Sequence, residues 1–174
     1  MEEKIKKVIR DVPDFPKKGI VFKDITPILE QPELCRLITQ EFAKHAKSLK
    51  PDAVMGIESR GFFWGLLVAQ ALNIPFIPVR KKGKLPYKTV SHRYDLEYGS
   101  AEIEVHEDAI KEGSKILIHD DLLATGGTAA AAAHIATQQG AEVCGFSFLV
   151  NLSFLNGEEH LKTYSQNIDS LVSY

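Results

Sequence analysis

Short apolar runs of strand length recur along this chain, each followed by a polar turn and most of them then by a helical segment. Residues 52–57, 75–79, 116–118 and 141–150 are nearly continuous apolar runs, the pattern of strands buried on both faces. Between them, residues 32–50 place Leu34, Leu37, Ile38, Phe42 and Ala46 on one helical face, and Pro51 ends that helix. Residues 62–72 and the alanine-rich 129–139 predict two more helices, the second suited to close packing on a sheet. This alternation predicts an α/β fold, a mostly parallel twisted sheet flanked by helices on both faces.

The remaining segments are less regular. Ile5, Val8 and Ile9 predict a short amphipathic helix over residues 2–11, and 158–164 and 168–174 read as a short helix and a terminal strand. Residues 14–30 are broken by Pro16, Gly19 and Pro27 yet apolar in the middle, as in a loop packed over something. Residues 85–103 have no helical period and read as a long lid, with a hairpin return over 94–105. In that return Glu102 and Glu104 are expected to face solvent, alternating with Ile103 and Val105.

Composition narrows the class. A chain of 174 residues, 44% hydrophobic and 25% charged with a formal net charge of −2, predicts one soluble domain with a real core. It has no basic excess for nucleic acid or an anionic membrane. The charged start, MEEKIKKVIRDV, lacks a signal peptide's apolar core, and no run approaches the roughly 18 apolar residues of a membrane span. Cys35 and Cys144 are expected to be reduced and buried, in a cytoplasmic protein.

The chemistry concentrates in residues 115–136. A strand ends in Asp120 and Asp121, and LLATGGT over 122–128 opens the alanine-rich helix. Glycines and helix-start amides can cradle a phosphate, with Thr125 and Thr128 adding hydroxyl donors. Two carboxylates would repel that phosphate, so they suit hydroxyls, or a metal whose other ligands come from substrate. Phosphate at one end and a diol at the other describe a ribose 5-phosphate. No Lys follows the glycines, which excludes a Walker A loop. Two further loops follow strands: Glu58-Ser59-Arg60-Gly61, and Arg80-Lys81-Lys82-Gly83-Lys84, whose cations suit a diphosphate.

Residues 116–128 resemble the phosphoribosyl diphosphate (PRPP) binding motif of type I phosphoribosyltransferases, with wording closest to the adenine-specific branch. The resemblance runs from Phe15 to about Gly157. It implies one domain over 1–174, with a hood of about 12–30 plus 151–174 and a flexible loop of about 83–105. It assigns Ala124, Thr125, Gly126, Gly127 and Thr128 to the 5-phosphate, and Asp120 and Asp121 to the ribose. Ser59, Arg60 and Gly61, after a cis Glu58–Ser59 peptide, would hold the diphosphate, joined by Arg80, Lys81 and Lys84. The hood run FPKKGIVFKDITPIL would read adenine through backbone near Val21 and Lys23, with Phe22 flanking the ring and Leu152 and Phe154 as apolar wall. In LEYG, Glu97 would handle the base's proton and Tyr98 would close over the site.

The resemblance further implies Mg²⁺ bound mainly through PRPP, a homodimer, and formation of AMP and diphosphate from adenine and PRPP in purine salvage. His119, where a small aliphatic residue is usual, reads as a packing variant, and Asn151 stands where the family has Glu. Alternatives are transfer to hypoxanthine, guanine, xanthine or orotate, or a PRPP-sensing regulator. Regulators generally carry an added DNA-binding segment, and the pairing of ESRG with LEYG favours an enzyme.

Overall fold

The structure, a computed structural model, describes residues 1–95 and 99–174. The chain opens with α1 (Glu2–Lys6), β1 (Arg10–Pro13), β2 (Val21–Asp24) and α2 (Thr26–Leu29). The core follows as α3 (Pro32–Leu49), β3 (Ala53–Ile57), α4 (Gly61–Leu72) and β4 (Phe76–Lys81). Next come β5 (Thr89–Asp95), β6 (Ser100–His106), β7 (Lys115–Leu123), α5 (Gly127–Gln138), β8 (Glu142–Asn151), α6 (Glu158–Leu161) and β9 (Ile168–Ser173).

Seven strands form one sheet in the order β5-β6-β4-β3-β7-β8-β9. The five from β4 to β9 run parallel, and the β5–β6 hairpin adds an antiparallel edge beside β4. Alternation along the central strands divides the core in two. Met55 and Ile118 face the alanines of α5, while Val54 and Leu117 join Ile38 and Phe42 of α3 and Trp64 and Val68 of α4. The small residues of α5 pack on the sheet as expected, with Ala132, Ala133 and Ala136 fully buried.

Three expectations are corrected. The first helix stops at Lys6, and residues 10–13 instead pair with β2, Val12 opposite Phe22, as a separate two-stranded sheet. That hairpin has no fully buried residue, so its sequence carries no clean alternation. Residues 89–95 and 100–106 pair along their whole length as antiparallel strands, Thr89 opposite His106 through Asp95 opposite Ser100, and no β5 residue is fully buried. Finally, Glu104 is 2% exposed, so the expectation that it faces solvent fails. The turn between β4 and β5 covers it.

Candidate active site

The carboxyl ends of β3, β4 and β7 open onto one edge of the sheet, where open α/β sheets place ligands. A cleft of about 500 Å³ lies there. Its walls include Glu58, Ser59 and Arg60 beyond β3, Lys81 and Lys82 at the end of β4, and Asp120, Asp121 and Thr128 from the β7–α5 region. Tyr94 and Glu102 close it from the hairpin.

Strand β7 is longer than its apolar run suggests, and both acids lie within it, Asp120 paired with Phe148 of β8. The loop to α5 is only residues 124–126, and Gly126 has φ +83°, a left-handed conformation suited to glycine. A Cβ on Gly126 would lie 2.5 Å from the Gly157 carbonyl oxygen, so the loop rests on backbone just before α6. The first amides of α5 have no intrahelical acceptors and supply donors for an anion. The Tyr94 hydroxyl lies 3.0 Å from Thr128 Oγ1 and ties the hairpin to this helix start.

Asp121 is 3% exposed and Asp120 half-buried. The Asp121 amide donates to Asp120 Oδ1 at 2.9 Å. Burial pushes both carboxyls up; for Asp120 the neighbouring Asp121 adds to this, while for Asp121 the Arg60 charge opposes it. Arg60 Nε stands 3.0 Å from Asp121 Oδ2, an ion pair whose geometry is not that of a hydrogen bond, so this buried oxygen has no hydrogen-bond donor. The Arg60 guanidinium in turn lies 5.1 Å from the centre of the Phe22 ring, joining the hood to the site. Gly61 permits the close approach: a Cβ there would sit 2.8 Å from Asp120 Oδ1 and 2.9 Å from the His119 carbonyl oxygen.

The cationic segment is arranged around two carboxylates. Glu58 Oε2 accepts from Arg80 Nε at 3.1 Å and from the Lys81 amide at 2.8 Å. Burial opposes its charge, but the Lys81 amide and Arg80 prevail and hold the carboxyl below its ordinary range. The Glu58–Ser59 peptide is cis, as expected. Glu104 Oε1 accepts the amides of Gly83, Lys84 and Leu85 at 2.9, 3.0 and 3.0 Å. Its Oε2 accepts from the Thr89 hydroxyl at 3.1 Å.

Of the four cations in the 80–84 run, Lys81 lines the cleft together with Lys82, to which the resemblance gave no role; Arg80 and Lys84 stand outside its walls. In the hood, Val21 is exposed and Phe22 meets Phe15 edge-on with centroids 5.2 Å apart. Lys23 Nζ turns to Asp11 at 2.7 Å and lies over the Tyr174 ring, leaving only its backbone for the role expected of it. Leu152 is half-buried against the α3–α4 side of the core. Glu97 and Tyr98 lie outside the described residues.

His119 is fully buried, its Nδ1 2.8 Å from Ser147 Oγ and its ring edge-on to Phe42. Burial pushes its pKa down to about 3, so the imidazole is a neutral packing group under the acid pair. Asn151 Nδ2 donates to Glu158 Oε1 at 2.7 Å, so a carboxylate is held at this position by a residue of α6. Both cysteines are free, and burial raises the Cys144 thiol to about 11. The contacts of Glu58, Tyr94, Glu104 and Gly157 escaped sequence reasoning, because each is made with a partner distant in the chain.

Comparison with known proteins supplies the family. The phosphoribosyl transferase domain matches residues 24–168. An adenine phosphoribosyltransferase of Cytophaga hutchinsonii is 49% identical over 174 residues, covering all of this chain and 96% of its own. One from Christiangramia forsetii is 52% identical over 170 residues, 98% of each chain. The crystal structure of adenine phosphoribosyltransferase from Thermoanaerobacter pseudethanolicus superposes with a TM-score of 0.96 at 45% identity over the whole of both chains. That of the Saccharomyces cerevisiae enzyme, complexed with an imino-altritol bisphosphate and adenine, gives 0.92 at 37% identity, covering 98% of this chain and 97% of its own. The cleft's acid pair, its glycine-opened helix start and its cationic edge therefore belong to a member of the phosphoribosyl transferase family.

Proposed function

We infer that this protein is an adenine phosphoribosyltransferase, a glycosyltransferase that converts adenine and PRPP to AMP and diphosphate in purine salvage. The observation that carries this reading is full-length similarity, hood included, to adenine phosphoribosyltransferases at about half identity.

The reaction breaks the bond from ribose C1 to the diphosphate oxygen and forms one from C1 to N9 of adenine. Positive charge builds on the ribose ring and negative charge on the leaving diphosphate. In this reading Asp120 and Asp121 accept hydrogen bonds from the ribose hydroxyls and face the cationic ring. The amides and hydroxyls of residues 124–128 hold the 5-phosphate. Arg60, Lys81 and Lys82, with Ser59 and Gly61 and the nearby Arg80 and Lys84, stabilise the leaving group electrostatically. Backbone near Val21 and Lys23 reads the adenine edge, with Phe22 and Leu152 as apolar surroundings. Glu97 takes the proton lost by the base, and Tyr98 closes the site against water.

The donors present fit Mg²⁺: two adjacent carboxylates, one with a buried oxygen lacking a hydrogen-bond donor, beside space for substrate oxygens. When bound through PRPP, Mg²⁺ supplies charge neutralisation at the diphosphate. A homodimer is supported by the exposed apolar residues Phe63, Leu66 and Leu67 on one side of α4. The two free thiols suit a cytoplasmic setting. Among the described residues, no helix is long and apolar enough to cross a membrane.

The test is product analysis after mixing protein, Mg²⁺ and PRPP with equal adenine, hypoxanthine, guanine, xanthine and orotate. AMP alone is expected. Another nucleotide would overturn the base assignment, and no nucleotide with PRPP still bound would overturn the enzyme reading.

A further inference from the structure

Glu104 stands at the centre of the sheet's antiparallel edge, opposite Arg80 of β4 and Ser91 of β5. A carboxylate only 2% exposed is tolerated where its charge is met by donors. Here the donors come mostly from one place. Three consecutive backbone amides, of Gly83, Lys84 and Leu85, converge on Oε1. Such a nest of amides is the arrangement that backbone offers to anions, and here the protein's own carboxylate fills it.

The turn so held carries the cations of the site. Lys81 and Lys82, immediately before it, line the cleft with Asp120 and Asp121. Lys82 Nζ lies 3.4 Å from Glu104 Oε2, 3.7 Å from Glu102 Oε1 and 3.2 Å from Ser91 Oγ. Gly83 takes φ +83°, so the chain reverses directly after Lys82. Burial opposes the charge on Glu104, but the Leu85 amide, Thr89 and Lys82 more than offset it, and the carboxyl stays ionised at neutral pH.

We propose that Glu104 is a positioning residue for phosphoribosyl transfer: it anchors the turn after β4 so that Lys81 and Lys82 present their charge to the diphosphate end of the cleft. It touches no substrate itself. This rests on the reading of the cleft given above.

The experiment compares wild type, Glu104→Ala and Glu104→Gln in steady-state kinetics and in direct calorimetric titration with PRPP and with diphosphate. Alanine removes the acceptor for all three amides. Glutamine keeps an oxygen for them and turns an N–H₂ group to the Thr89 hydroxyl, giving up only the charge. The expected result for alanine is a KM for PRPP raised about tenfold, with diphosphate binding weakened in parallel and the KM for adenine within about twofold. Glutamine should recover most of that loss. An unchanged KM for PRPP, an equal rise for both substrates, or a fall in melting temperature alone would overturn the proposal. Should the alanine variant fail to fold, Thr89→Val removes a single bond to Glu104 and should shift PRPP binding in the same direction by a smaller factor; no shift would overturn the proposal. Wild type that binds neither PRPP nor diphosphate would instead overturn the functional reading.

Discussion

The turn after β4 and the loop after β7 reach the same cleft, yet they are held in place by different means. The β7–α5 loop is fixed by backbone against backbone, with Gly126 lying directly on Gly157, so shape alone leaves it no freedom. The turn after β4 meets nothing that tight: a Cβ on its Gly83 would find open space within 4 Å. It is held by hydrogen bonds to one carboxylate, Glu104. A phosphate cradle that must keep its shape is thus built by close packing, and a cationic arm by electrostatics that a side chain controls.

The sharpest way to break this contrast is Gly126→Val. Its side chain would need both a left-handed backbone and space occupied by Gly157, so a loss of about 3 kcal/mol or more in urea unfolding is expected, with PRPP binding abolished. The corresponding Gly83→Ala change meets only the conformational penalty and should cost about 1 kcal/mol in the same measurement. Equal losses at the two glycines would erase the distinction. Tyr94→Phe removes a hydroxyl that joins hairpin to cradle, and should weaken PRPP binding severalfold, about 0.5–1.5 kcal/mol by calorimetry.

The smallest effect at neutral pH concerns His119 beneath the acid pair. Its folded pKa is about 3 against an ordinary 6.5, so the unfolded chain binds the proton first. Stability is therefore full above pH 6.5 and falls as pH drops from there towards 3, at up to about 1.4 kcal/mol per pH unit from this group. His119→Asn can still bond Ser147 and should lose this contribution to the slope of unfolding free energy against pH. An unchanged slope would show that the imidazole is not held neutral.

The same contrast explains what the sequence revealed. The strand, the acids and the glycine-opened helix of residues 115–138 are contiguous, so their chemistry could be read along the chain. The parallel core was legible for a similar reason, since strands such as β3, buried at every position, leave unbroken apolar runs. Strand β7 looked too short because His119, Asp120 and Asp121 interrupt its apolar run, while pairing with β8 keeps the chain extended as far as Leu123. The hood hairpin and β5 have no fully buried residue, and there alternation fades. Glu104 misled because alternation describes a strand with one open face, and its face is closed by a turn about twenty residues earlier. Gly157 was invisible for the same reason, its partner being the loop before α5.

The most direct test of the central claim, that this cleft performs phosphoribosyl transfer with the acid pair at the ribose, is the rate of AMP formation by an Asp120→Asn, Asp121→Asn double variant. Amides nearly preserve the size of the side chains while removing the negative charge. The account predicts a fall in kcat of about a hundredfold or more, with a melting temperature close to wild type. Near wild-type turnover would contradict it.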